Sequence, residues 1–275
     1  MAADENNILM MKKSNSVNPI ITILITLAMI ILIVLGILVF IPFFGKSSNT
    51  ETVQQGVQFL QEQEHRDITG IDSELRKQTA REDTEGMDLW EKLNFYDTYI
   101  MGDSRCEPFY WSGLQMEHVW AEKSATIKYI GEHIEEIASA RPGNLVLSFG
   151  MNDMGMYVYD PENYWETEDD YVEAYDYYVN LIREESPDTN VYINSIIPVL
   201  DVALESQPRW AYVDEWNAAL QKYCSENDVG YIDTTFITYM YGDLFDDDGV
   251  HFYSQTVLDS WGEAILEEVE NRVYR

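Results

Sequence analysis

The sequence predicts an α/β domain of three layers, with helices on both faces of a central parallel sheet, preceded by a transmembrane helix. Two observations carry this. Beyond about residue 96, short apolar runs alternate with amphipathic stretches whose apolar residues recur every three to four positions. Strands separated by helices imply βαβ units, right-handed crossovers and a buried parallel sheet. Upstream, residues 20–44 are apolar except for Thr22, Thr26, Gly36 and Pro42, and carry no charge.

At about 1.5 Å per residue that segment reaches roughly 37 Å, enough to cross a hydrocarbon core of about 30 Å with some tilt. A cleaved signal peptide would have a shorter apolar region, of about 7–15 residues, and a small-residue cleavage site. Lys12 and Lys13 precede the span and Lys46 alone closely follows it. The lysine bias places residues 1–19 in the cytoplasm and the bulk of the chain outside the cell. Residues 45–95 read as a polar stalk or linker, with Val53, Val57 and Leu60 on one short amphipathic helix. The folded domain is then residues 96–275.

Within it, residues 98–101 read as a strand. Residues 127–140 read as a helix with Ile127, Ile130, Ile134 and Ile137 on one stripe. Pro142-Gly143 stops that helix, and 144–149 is the next strand. Residues 171–185 are helical, with Tyr171, Ala174, Tyr178, Leu181 and Ile182 on one side. Then come a strand over 191–197 closed by Pro198, a helix over 213–223, a strand over 230–232 and a terminal helix over 254–273.

A formal charge of −32 argues against nucleic-acid binding and against lying flat on anionic lipid. The acidic clusters at 166–170 and 246–248 read as solvated surface, and they lack the spacing of a calcium loop. Neither cysteine, Cys106 or Cys224, has a zinc-type setting, so no metal or cofactor is expected. Their pairing is left open, with Cys106 expected to be a buried thiol.

Three loops carry side chains suited to acyl chemistry: Gly102-Asp103-Ser104, Gly150-Met151-Asn152-Asp153 and Asp248-Gly249-Val250-His251. Singly each is ordinary, a helix cap, a turn or a surface pair. Together they fit one site, because ligands bind beyond the carboxyl ends of parallel strands, where Ser104 and Asn152 both fall. A serine hydroxyl is a weak nucleophile without a base. His251 supplies one, taking the proton and returning it to the departing alcohol, with Asp248 to orient the imidazole. Asp246 and Asp247 compete for the orienting role. The backbone N–H of Ser104, at an expected helix start, is one donor to the oxyanion. His65, His118 and His133 have no comparable setting and are read structurally.

Residues 96–274 resemble the SGNH (GDSL-type) hydrolase superfamily of esterases, lipases and carbohydrate deacetylases. Gly102-Asp103-Ser104 is similar to its nucleophile block, with Arg105 where many members have leucine. Gly150-x-Asn152-Asp153 and Asp248-x-x-His251 are similar to its asparagine and histidine blocks. The resemblance implies a flavodoxin-like sheet, catalytic Ser104, Asp248 and His251, and the Asn152 amide as second oxyanion donor. It also implies a glycine N–H as third donor, and here the sequence departs. Gly113 comes too early and Gly131 falls inside the expected helix, so Ser124, in the segment 121–125, is the candidate.

Aromatic residues crowd the stretch after Asn152 (Tyr157, Tyr159, Tyr164, Trp165) and recur at Phe109, Tyr110, Trp111, Trp210 and Tyr212. Beyond those needed for packing, they offer a platform for sugar rings. The expectation is a membrane-tethered extracellular esterase that removes O-acetyl groups from a carbohydrate or cell-envelope glycan. Two alternatives stay open: a glycan O-acyltransferase on the same site, and a non-catalytic glycan- or envelope-binding module.

Overall fold

The computed structural model describes residues 19–44, 75, 78, 79 and 82–273. The chain divides into two units, Met1–Asp67 and Ile68–Arg275. In the first, α1 (Pro19–Phe44) is one uninterrupted helix of 26 residues. Among the described residues no helix is long and apolar enough to cross a membrane. The expected cytoplasmic segment, the short helix around Val53, Val57 and Leu60, and His65 lie outside the described residues.

In the second unit, helical residues at 75, 78, 79, 82 and 83 precede α2 (Leu89–Phe95), which is capped by Asp88, whose carboxylate accepts from the N–H groups of Trp90 and Glu91. This helix corrects the expected stalk boundary at 95. Trp90 and Leu93 are buried, Trp90 packs edge-on to Phe109, and its indole N–H donates to Asp259. Seven residues after a polar stretch are too few to show a helical period in the sequence.

The strands are β1 (Thr98–Gly102), β2 (Val119–Ala121), β3 (Asn144–Ser148), β4 (Asn190–Asn194) and β5 (Gly230–Ile232). All pair in parallel, in the order β2-β1-β3-β4-β5. The edge strand β2 was not expected from the sequence, whereas β5, equally short, was. The main helices are α3 (Ile134–Ala140), α4 (Met151–Met156), α5 (Glu168–Glu185), α6 (Val213–Glu226), α7 (Phe236–Tyr241) and α8 (Gln255–Val273).

Alternate strand residues feed two separate cores, as a sheet buried on both faces requires. Met101, Leu145, Leu147, Val191 and Ile193 pack against α3, α5 and α6. Ile100, Val146, Tyr192 and Ile232 pack against α2, α7 and α8. The expected helix over 127–140 is broken. A single turn over Tyr129–Glu132 ends at His133, whose φ of −116° leaves the helical range before α3 begins. Both cysteines are buried free thiols.

A fragment starting at residue 82 should be more stable to urea than one starting at 96, by about 3–5 kcal/mol or more, since the shorter one loses a buried Trp and Leu. Equal midpoints and slopes for the two would contradict the revised boundary.

Candidate active site

The order β2-β1-β3 reverses direction at β1, so the loops leaving β1 and β3 diverge and leave a crevice. The β1 loop holds Ser104. A Cβ at Gly102 would collide with the Cys106 sulfur and the Ser148 carbonyl, so only glycine lets the loop fold back here. Ser104 does not start an α-helix, contrary to expectation. A turn follows it, in which the N–H of Cys106 donates to Asp103 at 2.9 Å, and then a 3₁₀ helix, Glu107–Trp111. The Pro at 108 and Phe109 are buried on the α8 side of the core, with Phe109 packed on Trp261, while Trp111 is exposed.

His251 comes from the loop between α7 and α8. That loop is pinned by a β-bridge between Phe245 and Phe252, and by the N–H of Asp246 donating to the His251 carbonyl at 2.8 Å. Phe252 is buried against Trp261. Gly249, at φ +70°, makes the turn that carries Asp248 back beneath His251, and its carbonyl accepts from the N–H of Leu200.

These loops bring together residues 147 positions apart. Ser104 Oγ lies 2.9 Å from His251 Nε2, and His251 Nδ1 lies 2.6 Å from Asp248 Oδ2. The other Asp248 oxygen accepts from the N–H groups of Val250 and His251 at 2.8 and 3.0 Å. Partial burial raises the Asp248 pKa, but the bonds from the imidazole and these two N–H groups outweigh it and bring it to about 2. The carboxylate is therefore ionised wherever the imidazole needs it. Asp246 and Asp247 make no side-chain bond to the ring among the described residues.

A cavity of about 270 Å³ opens on these atoms, lined by Ser104, Ser124, Asn152 and His251 among others. Ser124 occupies the left-handed region, φ +65°, that glycine enters freely and other residues enter at a cost of about 1–2 kcal/mol. The serine thus holds the backbone shape a glycine would. Neither the Ser104 nor the Ser124 N–H donates within the protein among the described residues, so both are available to a ligand. Asn152 donates one amide hydrogen to the Ala125 carbonyl at 3.0 Å, which fixes the amide and leaves its second hydrogen available.

Beneath the cavity lies a residue whose part sequence reasoning missed. Asp153 is fully buried, and its Oδ1 accepts from the N–H of Ile127 at 3.1 Å, tying the Asn152 loop to the Ser124 segment. Burial raises its pKa to about 7. The only sequence signal was its place after Asn152. His118 is buried beside Asp97 and stacked on Tyr99, and His133 leans on Tyr129. Neither lines the cavity.

A parallel-sheet domain with a serine, an imidazole and a carboxylate in hydrogen-bonded sequence, beside unpaired N–H donors, is the arrangement of a serine hydrolase. The family model for GDSL-like lipases and acylhydrolases matches residues 111–255, more than half of the chain, and the chain belongs to that family. The matched residues include Asn152 and His251, while Ser104 lies just upstream. No curated protein matches. Solved structures of similar fold include a GDSL-like lipase from Bacteroides thetaiotaomicron, at 14% identity over 70% of this chain and 97% of that one, with a TM-score of 0.49. A lipase/acylhydrolase from Enterococcus faecalis is 18% identical over 64% and 95%, TM-score 0.47. A variant acetyl xylan esterase from Geobacillus stearothermophilus is 15% identical over 62% and 93%, TM-score 0.47.

The buried Asp153 sets a pH dependence. The folded protein holds the Asp153 proton up to about pH 7, whereas an unfolded chain releases it near 3.9. Between those values the native state binds more protons, so this group makes stability fall as pH rises. Asp153→Asn keeps an oxygen for Ile127 and removes the ionisation. Urea unfolding at pH 5 and pH 8 should show a smaller loss in the variant than in the parent. Parallel losses would count against the assignment.

Proposed function

We propose that this protein is a membrane-tethered serine esterase acting outside the cell, and that it removes O-acyl groups, acetyl above all, from carbohydrate. The observation that carries the reading is the chain of contacts Ser104–His251–Asp248, at 2.9 and 2.6 Å, at the edge of an open cavity. In this reading His251 removes the Ser104 proton as the oxygen attacks the ester carbonyl. The negative oxygen that forms is met by the N–H groups of Ser104 and Ser124 and the free amide hydrogen of Asn152. His251 then passes its proton to the leaving sugar hydroxyl, and water, activated by the same imidazole, releases the acid from Ser104. Asp248 stays ionised throughout and stabilises the imidazolium.

The carbohydrate part of the proposal is supported by a groove of about 620 Å³ lined by Tyr157, Tyr164, Trp165, Tyr177 and Tyr178. Arg209 links it to the catalytic cavity. It donates to the Trp165 and Glu166 carbonyls and covers the Tyr157 ring, while its neighbour Trp210 lines that cavity. Tethering is supported by the charge-free composition of α1 and its length of roughly 39 Å. The lysine bias around it supports an extracellular domain.

Ser104→Ala should lower kcat for a short-chain aryl acetate by at least about 10⁴-fold. Unchanged turnover would refute the esterase reading. Asn152→Ala should lose about 10²–10³-fold, chiefly in kcat rather than KM. Ser124→Gly, which keeps the N–H and the loop shape, should stay within a few-fold of the parent. A collapse of activity in Ser124→Gly would mean that the side chain, not the backbone, does the work there.

A further inference from the structure

The catalytic cavity places two cations beside the nucleophile in an acidic protein. Arg105 and Lys123 both line it, in a chain with 17 basic and 49 acidic residues. Its two acidic lining residues are already engaged. Asp248 serves His251, and Asp103 accepts from the Arg105 N–H at 2.9 Å. Arg105 is 5% exposed. A guanidinium is costly to bury unless its donors are used. Nη1 donates to the Ile197 carbonyl at 2.8 Å, and Nε forms an ion pair with Asp103 at 3.8 Å, too long for a hydrogen bond. Nη2 bonds to nothing among the described residues and keeps some solvent contact, in a side chain that lines the cavity. Lys123 is exposed at the rim and has no ion pair among the described residues.

The surroundings restrict where a matching negative charge can sit. Glu162, Glu166, Asp170 and Glu173 line the aromatic groove, so a polyanion lying along it would be repelled. The complementary ligand carries its charge inside the catalytic cavity and is neutral beyond it. We infer that the ester is carried by an acidic sugar, whose carboxylate is held by Arg105 Nη2 and the Lys123 ammonium beside Ser104. This rests on the O-deacylase reading and names its substrate class. An Arg donor edge suits a carboxylate, and Lys123 adds a point charge at the rim.

The test uses two probes that differ only in charge: a mono-O-acetylated methyl glucuronoside and its methyl ester. Each is titrated calorimetrically into the full-length Ser104→Ala protein in nonionic micelles, so that binding is read without turnover. The acid should bind at least tenfold more tightly than its methyl ester, and the ratio should shrink in 0.5 M salt. Lys123→Gln, an exposed change that leaves the fold intact, and Arg105→Lys should each bring the ratio below threefold. Equal binding, tighter binding of the methyl ester, or no binding of either would overturn the inference. Aryl acetate turnover by the parent protein is the separate check. Turnover without charge discrimination removes only the anion site, and charge discrimination without turnover removes only the deacylase reading.

Discussion

A parallel sheet covered by helices on both faces can admit a ligand only at its strand ends. In the order β2-β1-β3-β4-β5 the chain leaves β1 toward one edge and β3 toward the other. The space this divergence leaves is where Ser104 and Asn152 stand. The rest of the site answers to that geometry. The sheet supplies the serine loop and the asparagine loop in register, through the pairing of Gly102 with Ser148. The histidine must come from elsewhere, and the loop before α8 delivers it because Phe252 is anchored on Trp261, whose own indole N–H donates to Asn194 at the end of β4.

Each group of the candidate site is held by something rigid. Asp248 takes three hydrogen bonds on two oxygens, which fixes both its charge and the ring it orients. Asn152 is fixed through Ala125, and the Ser124 segment through Asp153. Preorganised donors of this kind stabilise developing charge without reorganising during the reaction, which is where most of their worth lies.

The fold was legible in sequence wherever an element was long enough to show its period. The strands at 98–101, 144–149 and 191–197 and the helices that became α5, α6 and α8 were read from apolar spacing alone. β2 was not, and α2 was hidden because its burial depends on Trp90 meeting Phe109 and Asp259, contacts that no local pattern shows. The site was legible as three loops whose residue types suit one reaction at the strand ends, but the contacts that hold them there were not. Ser124 is the instructive case. A serine in a glycine's place reads as a defect in sequence, whereas its φ of +65° keeps the backbone shape intact. The helix expected at Ser104 failed for a local reason, the proline at 108 and the tight Cys106 turn, which favour a 3₁₀ segment.

The central claim is that His251 makes Ser104 nucleophilic. Incubation of the folded protein with a fluorophosphonate, followed by peptide mass spectrometry, tests it most directly. The account requires a single adduct on Ser104 and labelling at least about 10³-fold slower in His251→Ala. An unlabelled Ser104 in folded protein, or equal labelling rates with and without the histidine, would contradict it.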